Sequence, residues 1–140
     1  MGRFRRRAVR EPTAIHKAYA WWRAALAGEK PPIHDGDPKP GFYRRRMVRH
    51  GPWVPVRIWL EQPVDAETGE LTGDETLRCE VDGRAADPGH QWTYVAGQPI
   101  SESDFNYMRQ RAAWALRHAP EHPVANPSAP VDWDRAPIPF

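Results

Sequence analysis

The stretch Gly41–Glu61, GFYRRRMVRHGPWVPVRIWLE, decides how this chain is read. It looks like two β-strands about a turn at His50-Gly51-Pro52, because a Gly-Pro pair punctuates a run rich in β-branched and aromatic residues. In the second strand Val54, Val56, Ile58 and Leu60 recur at every second position and so share one face. Trp53, Arg57 and Trp59 then share the other. In the first strand Arg44 and Arg46 fall with Phe42 and Val48, and Arg45 and Arg49 fall with Tyr43 and Met47. Spacing alone leaves the register open, and a slip of one residue would exchange the two sets. In either register at least two arginines stand beside Trp53, Arg57 or Trp59.

On the N-terminal side, Pro12 suits a first helical position and Gly28 a stop, which predicts a helix over 12–27. Ile15, Tyr19, Trp22 and Leu26 make its apolar stripe, with Ala14, Ala18, Trp21 and Ala25 beside it. Residues 29–40, EKPPIHDGDPKP, are a proline-rich connection. Beyond the hairpin, residues 61–75 carry six acids and no base and read as a solvated loop. Leu77, Cys79 and Val81 alternate with polar residues and predict a strand over 76–82 that ends at Asp82-Gly83. Trp92, Tyr94 and Ala96 suggest a fourth strand over 91–96. A helix over 102–118 has a clear start: Ser101 as cap, Asp104 three residues on, and Ile100 with Phe105 as a hydrophobic staple. Its buried stripe is Phe105, Met108, Ala112 and Ala115, flanked by Tyr107 and Trp114. The expected fold is therefore α+β, one domain over 12–119. It is an antiparallel sheet of about four strands packed with two helices, between a basic arm (1–11) and a proline-rich docking tail (120–140).

Sixteen prolines and ten glycines in 140 residues leave a core smaller than the length suggests, and seven tryptophans add burial where aliphatic residues are scarce. The net charge of +2 hides a split: residues 1–60 carry 14 Lys/Arg against 4 Asp/Glu (+10), and residues 61–140 carry 6 against 14 (−8). Such a split suits a polyanionic partner at one end or head-to-tail self-association; the plain alternative is neutralisation within the fold. Arg3, Arg5, Arg6, Arg7 and Arg10 crowd the first eleven residues, an arm that orders on nucleic acid or another acidic surface, or else a solubilising tail. No apolar run approaches a membrane span, and the start lacks the apolar stretch of a secretory signal. The expected setting is the cytoplasm, with no membrane partner.

No residues assemble into catalytic or metal chemistry. A lone cysteine, Cys79, excludes an internal disulfide and a multi-cysteine zinc site and reads as a small core residue. His34, Asp35 and Asp37 lack further ligands, and Gly69 falls where a calcium loop needs one. Pro120 breaks the helix that would align His118 with His122 for zinc. With no glycine-rich phosphate loop and no nucleophile elbow either, neither an enzyme nor a cofactor is expected.

Taken together, GDPKPGFYRRRMVRHGPWVPVRIWLEQ, LRCEVDGRAADPGHQWTYVAGQPISE and NPSAPVDWDRAPIPF resemble a family of small uncharacterised proteins encoded by bacteriophages and prophages, over roughly residues 33–140. That resemblance brings no established activity. The terminal VDWDRAPIPF is similar to the carboxy-terminal tip of bacterial single-stranded-DNA-binding proteins, an acidic run closing in Ile-Pro-Phe. It implies that Phe140 and its α-carboxylate, closing the docking tip Ile138-Pro139-Phe140, enter an apolar pocket on a DNA-processing protein while Asp132 and Asp134 meet its basic rim. Arg135 interrupts the acidity. Trp133, large and apolar on a segment with no core of its own, should also dock.

The expected function is thus binding: a phage or prophage accessory protein acting on DNA or RNA, on a DNA-processing partner, or both. Its candidate nucleic-acid surface is Arg3, Arg5, Arg6, Arg7, Arg44, Arg45, Arg46, Arg49, Trp53, Arg57 and Trp59, since phosphates meet arginine and bases stack on indole. The same residues also suit a solvated sheet whose tryptophans lie under the first helix with arginines stacked on them. The alternatives in function are a virion component (capsid, neck or tail) and an inhibitor of a host defence complex.

Overall fold

Two strands form at the hairpin, β1 (Gly41–Arg46) and β2 (Trp53–Glu61), in a computed structural model that describes residues 10–132. Their antiparallel register is now fixed. Phe42 faces Arg57, Arg44 faces Pro55 and Arg46 faces Trp53 on one side; Tyr43–Val56 and Arg45–Val54 pair on the other. β3 (Thr76–Val81) pairs with β2, and β4 (Arg84–Ala86) with β3, so the sheet runs β1-β2-β3-β4, antiparallel throughout. The protein is α+β, as the sequence predicts.

Among the described residues four α-helices complete it, rather than two. The first predicted helix is shorter and broken: α1 (Ile15–Ala18) and α2 (Ala20–Leu26) are separated at Tyr19, which sits at φ −97°, ψ 7°. Residues 10–13 are not helical because the acidic loop holds them extended. The Thr13 N–H donates to Glu75 Oε1 at 2.7 Å, the Thr13 carbonyl accepts from Gln62 at 2.7 Å, and the Leu71 N–H donates to the Arg10 carbonyl at 2.8 Å. The predicted stop is real: Gly28 at φ 82° closes a Schellman motif, with Gly28 N–H to Ala25 and Glu29 N–H to Ala24. Of the expected stripe, Tyr19 and Trp22 pack while Ile15 is 72% exposed.

The predicted strand over 91–96 is instead a helix, α3 (Pro88–Val95). Asp87 caps it by accepting from the His90 N–H at 2.8 Å, and Pro88 takes the first turn. Trp92, Val95 and Ala96 are buried and Tyr94 is exposed, a spacing of three and four rather than two. The fourth strand is Arg84–Ala86, reached through the tight Asp82-Gly83 turn. α4 (Glu102–His118) matches its predicted range, with Ser101 Oγ accepting from the Asp104 N–H at 3.0 Å.

The two sheet faces are covered separately. On one, Tyr43, Val54, Val56, Ile58, Cys79 and Val81 pack with Trp92, Val95 and Ala96, and Trp21 joins them. Trp92 meets Tyr43 edge-on at 5.7 Å and Trp21 at 5.0 Å. The proline-rich connection supplies acceptors for these rings: Trp21 donates to Pro32, Trp92 to His34 and Tyr43 to Lys39. On the other face, Ile100, Phe105 and Met108 pack with Phe42 and Trp53. Trp22 lies over the start of β1, its indole N–H shared by the Phe42 and Ile100 carbonyls at 2.9 and 3.0 Å. The link between α3 and α4 runs along β1: the Arg44 N–H donates to Gln98 and the Ile100 N–H to Phe42. After α4 the chain makes a short 3-10 turn, Pro123–Ala125, against the helix, a local helical turn that the proline content does not predict.

Candidate nucleic-acid interface

The register puts Arg44, Arg46, Trp53, Arg57 and Trp59 on the face that α4 crosses. The guanidiniums of Arg44 and Arg46 each stand 4.1 Å from the Trp53 ring centre, and Arg57 stands 4.6 Å from that of Trp59. Trp53 is therefore covered by arginine and by the Phe105–Met108 side of α4, the last helix rather than the first. Acceptors hold two of these side chains in place: Arg44 Nε donates to Gln98 at 3.2 Å and Arg46 Nε to the Gly51 carbonyl at 2.9 Å. Stacking engages the plane of a guanidinium but leaves most of its in-plane N–H donors free for a phosphate. Arg57 is less free, since its Nε is buried without a hydrogen-bond partner. Its charge lies beside Tyr19; burial pushes that phenol up and Arg57 partly offsets the push.

Other predicted residues scatter. Arg45 points to the opposite face, donating to Gln91 at 2.6 Å and stacking 4.0 Å over Tyr94. Arg49 is exposed in the hairpin turn, and Asp132 is exposed at the end of the described chain. Arg3, Arg5, Arg6 and Arg7, and Trp133, Asp134, Ile138, Pro139 and Phe140, lie outside the described residues. Arg10 is not part of a free arm: it donates to the Gly73 carbonyl and pairs with Asp74 at 3.4 Å. That contact joins the basic half to the acidic half, though at so exposed a site it contributes little.

Sequence reasoning passed over α4. From Phe105 to His118 it carries Arg109, Arg111, Arg117 and His118 and no acid, just as residues 38–60 contain no acid. These two acid-free segments, far apart in sequence, pack on each other through α4 with β1 and β2. Tyr107 is 58% and Trp114 45% exposed, so the rings expected to flank the core look to solvent. Arg111 stands 5.9 Å over Tyr107, and Trp114 lies 5.1 Å from His118. The readable signal was the run of fourteen residues without a carboxylate.

Cys79 is 3% exposed, and burial pushes its thiol up to about 12, which keeps it protonated at neutral pH. Among the described residues no group of three or more His, Cys, Asp or Glu could hold a metal ion, and no helix is long and apolar enough to cross a membrane. Comparison with protein-family models, curated proteins and solved structures finds no match to this chain.

Proposed function

We propose that this protein is a non-enzymatic binder of single-stranded nucleic acid, an accessory protein of a phage or prophage. The reading rests on one observation: two acid-free, arginine-bearing segments packed together, with aromatic rings interleaved among the guanidiniums. Arg44 and Arg46 meet backbone phosphates from a pre-stacked position, so little side-chain freedom is lost on binding. Tyr107 and Trp114 offer ring faces to bases, each stack contributing roughly 1–3 kcal/mol. Within residues 38–60 and from Phe105 to His118 there is no acid to repel a phosphate; the nearest acids by register and sequence are Glu80, opposite Arg57, and Glu102 and Asp104 at the start of α4.

The test is fluorescence anisotropy with a labelled oligonucleotide across a salt series. Affinity should fall steeply with salt, and Arg44→Ala with Arg46→Ala should flatten the log–log slope by about 1.4, the share of two phosphates on a single strand. An unchanged slope, or no binding at low salt, overturns the reading. The virion reading draws on the exposed acidic loop over residues 61–75, whose charge is opposite to that of the basic segments and suits stacked copies. Salt-dependent elution in gel filtration without nucleic acid would favour it.

A further inference from the structure

A cleft of about 380 Å³ opens between the β3–β4 turn, α4 and the chain around the 3-10 turn. Met47, Pro55, Ala112, Leu116 and Pro127 give it apolar walls, while Arg84, Arg109 and Asp82 supply its charges. Asp82 and Gly83 hold φ values of 52° and 80°, as a type I′ turn requires, and the Asp82 N–H is pinned to the Pro55 carbonyl at 2.9 Å. The backbone of Asp82 is thereby held in place, with the residue half-buried in the lining. Burial pushes its carboxyl up and Arg84 partly offsets the push. The volume lies at the small end for ligand sites, roughly 300–1,000 Å³, which suits a compact ligand. Two guanidiniums against one carboxyl select an anion, the apolar walls suit a flat ring, and the carboxyl asks for a donor edge.

We propose that this cleft takes a single unstacked nucleotide, its phosphate on Arg84 and Arg109, its base between the apolar walls, and its donor-bearing edge on Asp82. Guanine fits best, since its ring N–H and exocyclic amine present two donors side by side to one carboxylate. This deepens the strand-binding reading and rests on it: Arg109 is exposed on α4 and lines the cleft on the flank of the helix away from Arg111 and Tyr107, so a strand that crosses α4 can send one base inward.

Titration calorimetry of the full chain with guanosine 5′-monophosphate tests it, with uridine 5′-monophosphate, inorganic phosphate and a free peptide ending in Ile-Pro-Phe as comparisons. Saturable binding of the guanine nucleotide, tighter than the uracil nucleotide, is expected. Ala113→Trp, an exposed change that fills the cleft, should weaken it at least about tenfold, and Arg84→Ala should do likewise, with melting curves checking the fold of each. Phosphate binding as tightly as the nucleotide, preference for the peptide, no binding, or indifference to both substitutions each overturns the proposal. Oligonucleotide binding measured in parallel separates the two ideas. A strand that binds the protein while the nucleotide does not sinks the cleft alone, and the reverse sinks the strand-binding surface alone.

Discussion

Alternate residues of β1 and β2 serve two faces that solve the same packing problem in opposite ways. Under α3, Tyr43, Val56 and Ile58 are fully buried around Trp92, and Tyr43, Trp21 and Trp92 each have a carbonyl to bond. Under α4, the neighbouring residues Arg44, Arg46 and Arg57 are half-buried or exposed, and indole rings rather than carboxylates shield them. The first face derives its stability from removing apolar surface from water. The second retains charge near the surface, where an aromatic ring attracts a cation without neutralising it. A face kept charged in this way leaves guanidinium donors near solvent, whereas on the other face Arg45 is engaged by Gln91 and Tyr94.

The sharpest way to break this contrast is to substitute each face and compare stability with binding. Trp92→Ala should cost about 3–5 kcal/mol in urea denaturation, because it empties the centre of the dry face. Gly41→Ala should cost about 1–3 kcal/mol, since a Cβ there would stand 2.5 Å from Trp22 and force the ring off β1. Arg44→Lys with Arg46→Lys keeps both charges and loses the stacked planes. Stability should fall by about 1–2 kcal/mol while the salt slope of oligonucleotide binding holds, a combination that a purely structural role for these arginines does not give.

The smallest effect concerns Asp82. Burial raises its carboxyl above the unfolded value of 3.8, so the folded state holds the proton more tightly. The stability linked to that proton is complete below about pH 4 and is lost as pH rises through the raised value. Asp82→Asn should therefore melt slightly higher than the parent at neutral pH and converge with it in acid, while losing the preference for guanine. Equal melting temperatures at all pH values would contradict the burial.

Elements governed by local chemistry were legible in the sequence. Ser101, Asp104 and the Ile100–Phe105 pair announced α4, and Gly28 announced the end of α2, because caps act within one turn. The α3 region misled because Trp92, Tyr94 and Ala96 alternate, while the deciding signal was Asp87-Pro88 at its start. The start of the first helix misled for another reason: residues 10–13 take their hydrogen bonds from a loop some sixty residues away. The candidate interface was half legible. Arginine and tryptophan on one strand pair could be read directly, but their partition between faces depends on register. The part contributed by α4 required knowing that its polar side faces outward from β1 and β2.

The strip Gln98–Ile100 along β1 bears on assembly. Its two backbone bonds already occupy positions that an incoming strand from another molecule would use, and Pro99 brings no N–H of its own. The opposite margin, β4, is three residues long, too short to template a lasting ladder. Copies of this protein are thereby discouraged from growing into continuous sheets, and a crowded solution of it should stay free of fibrils even though its hairpin is rich in valine, isoleucine and tryptophan.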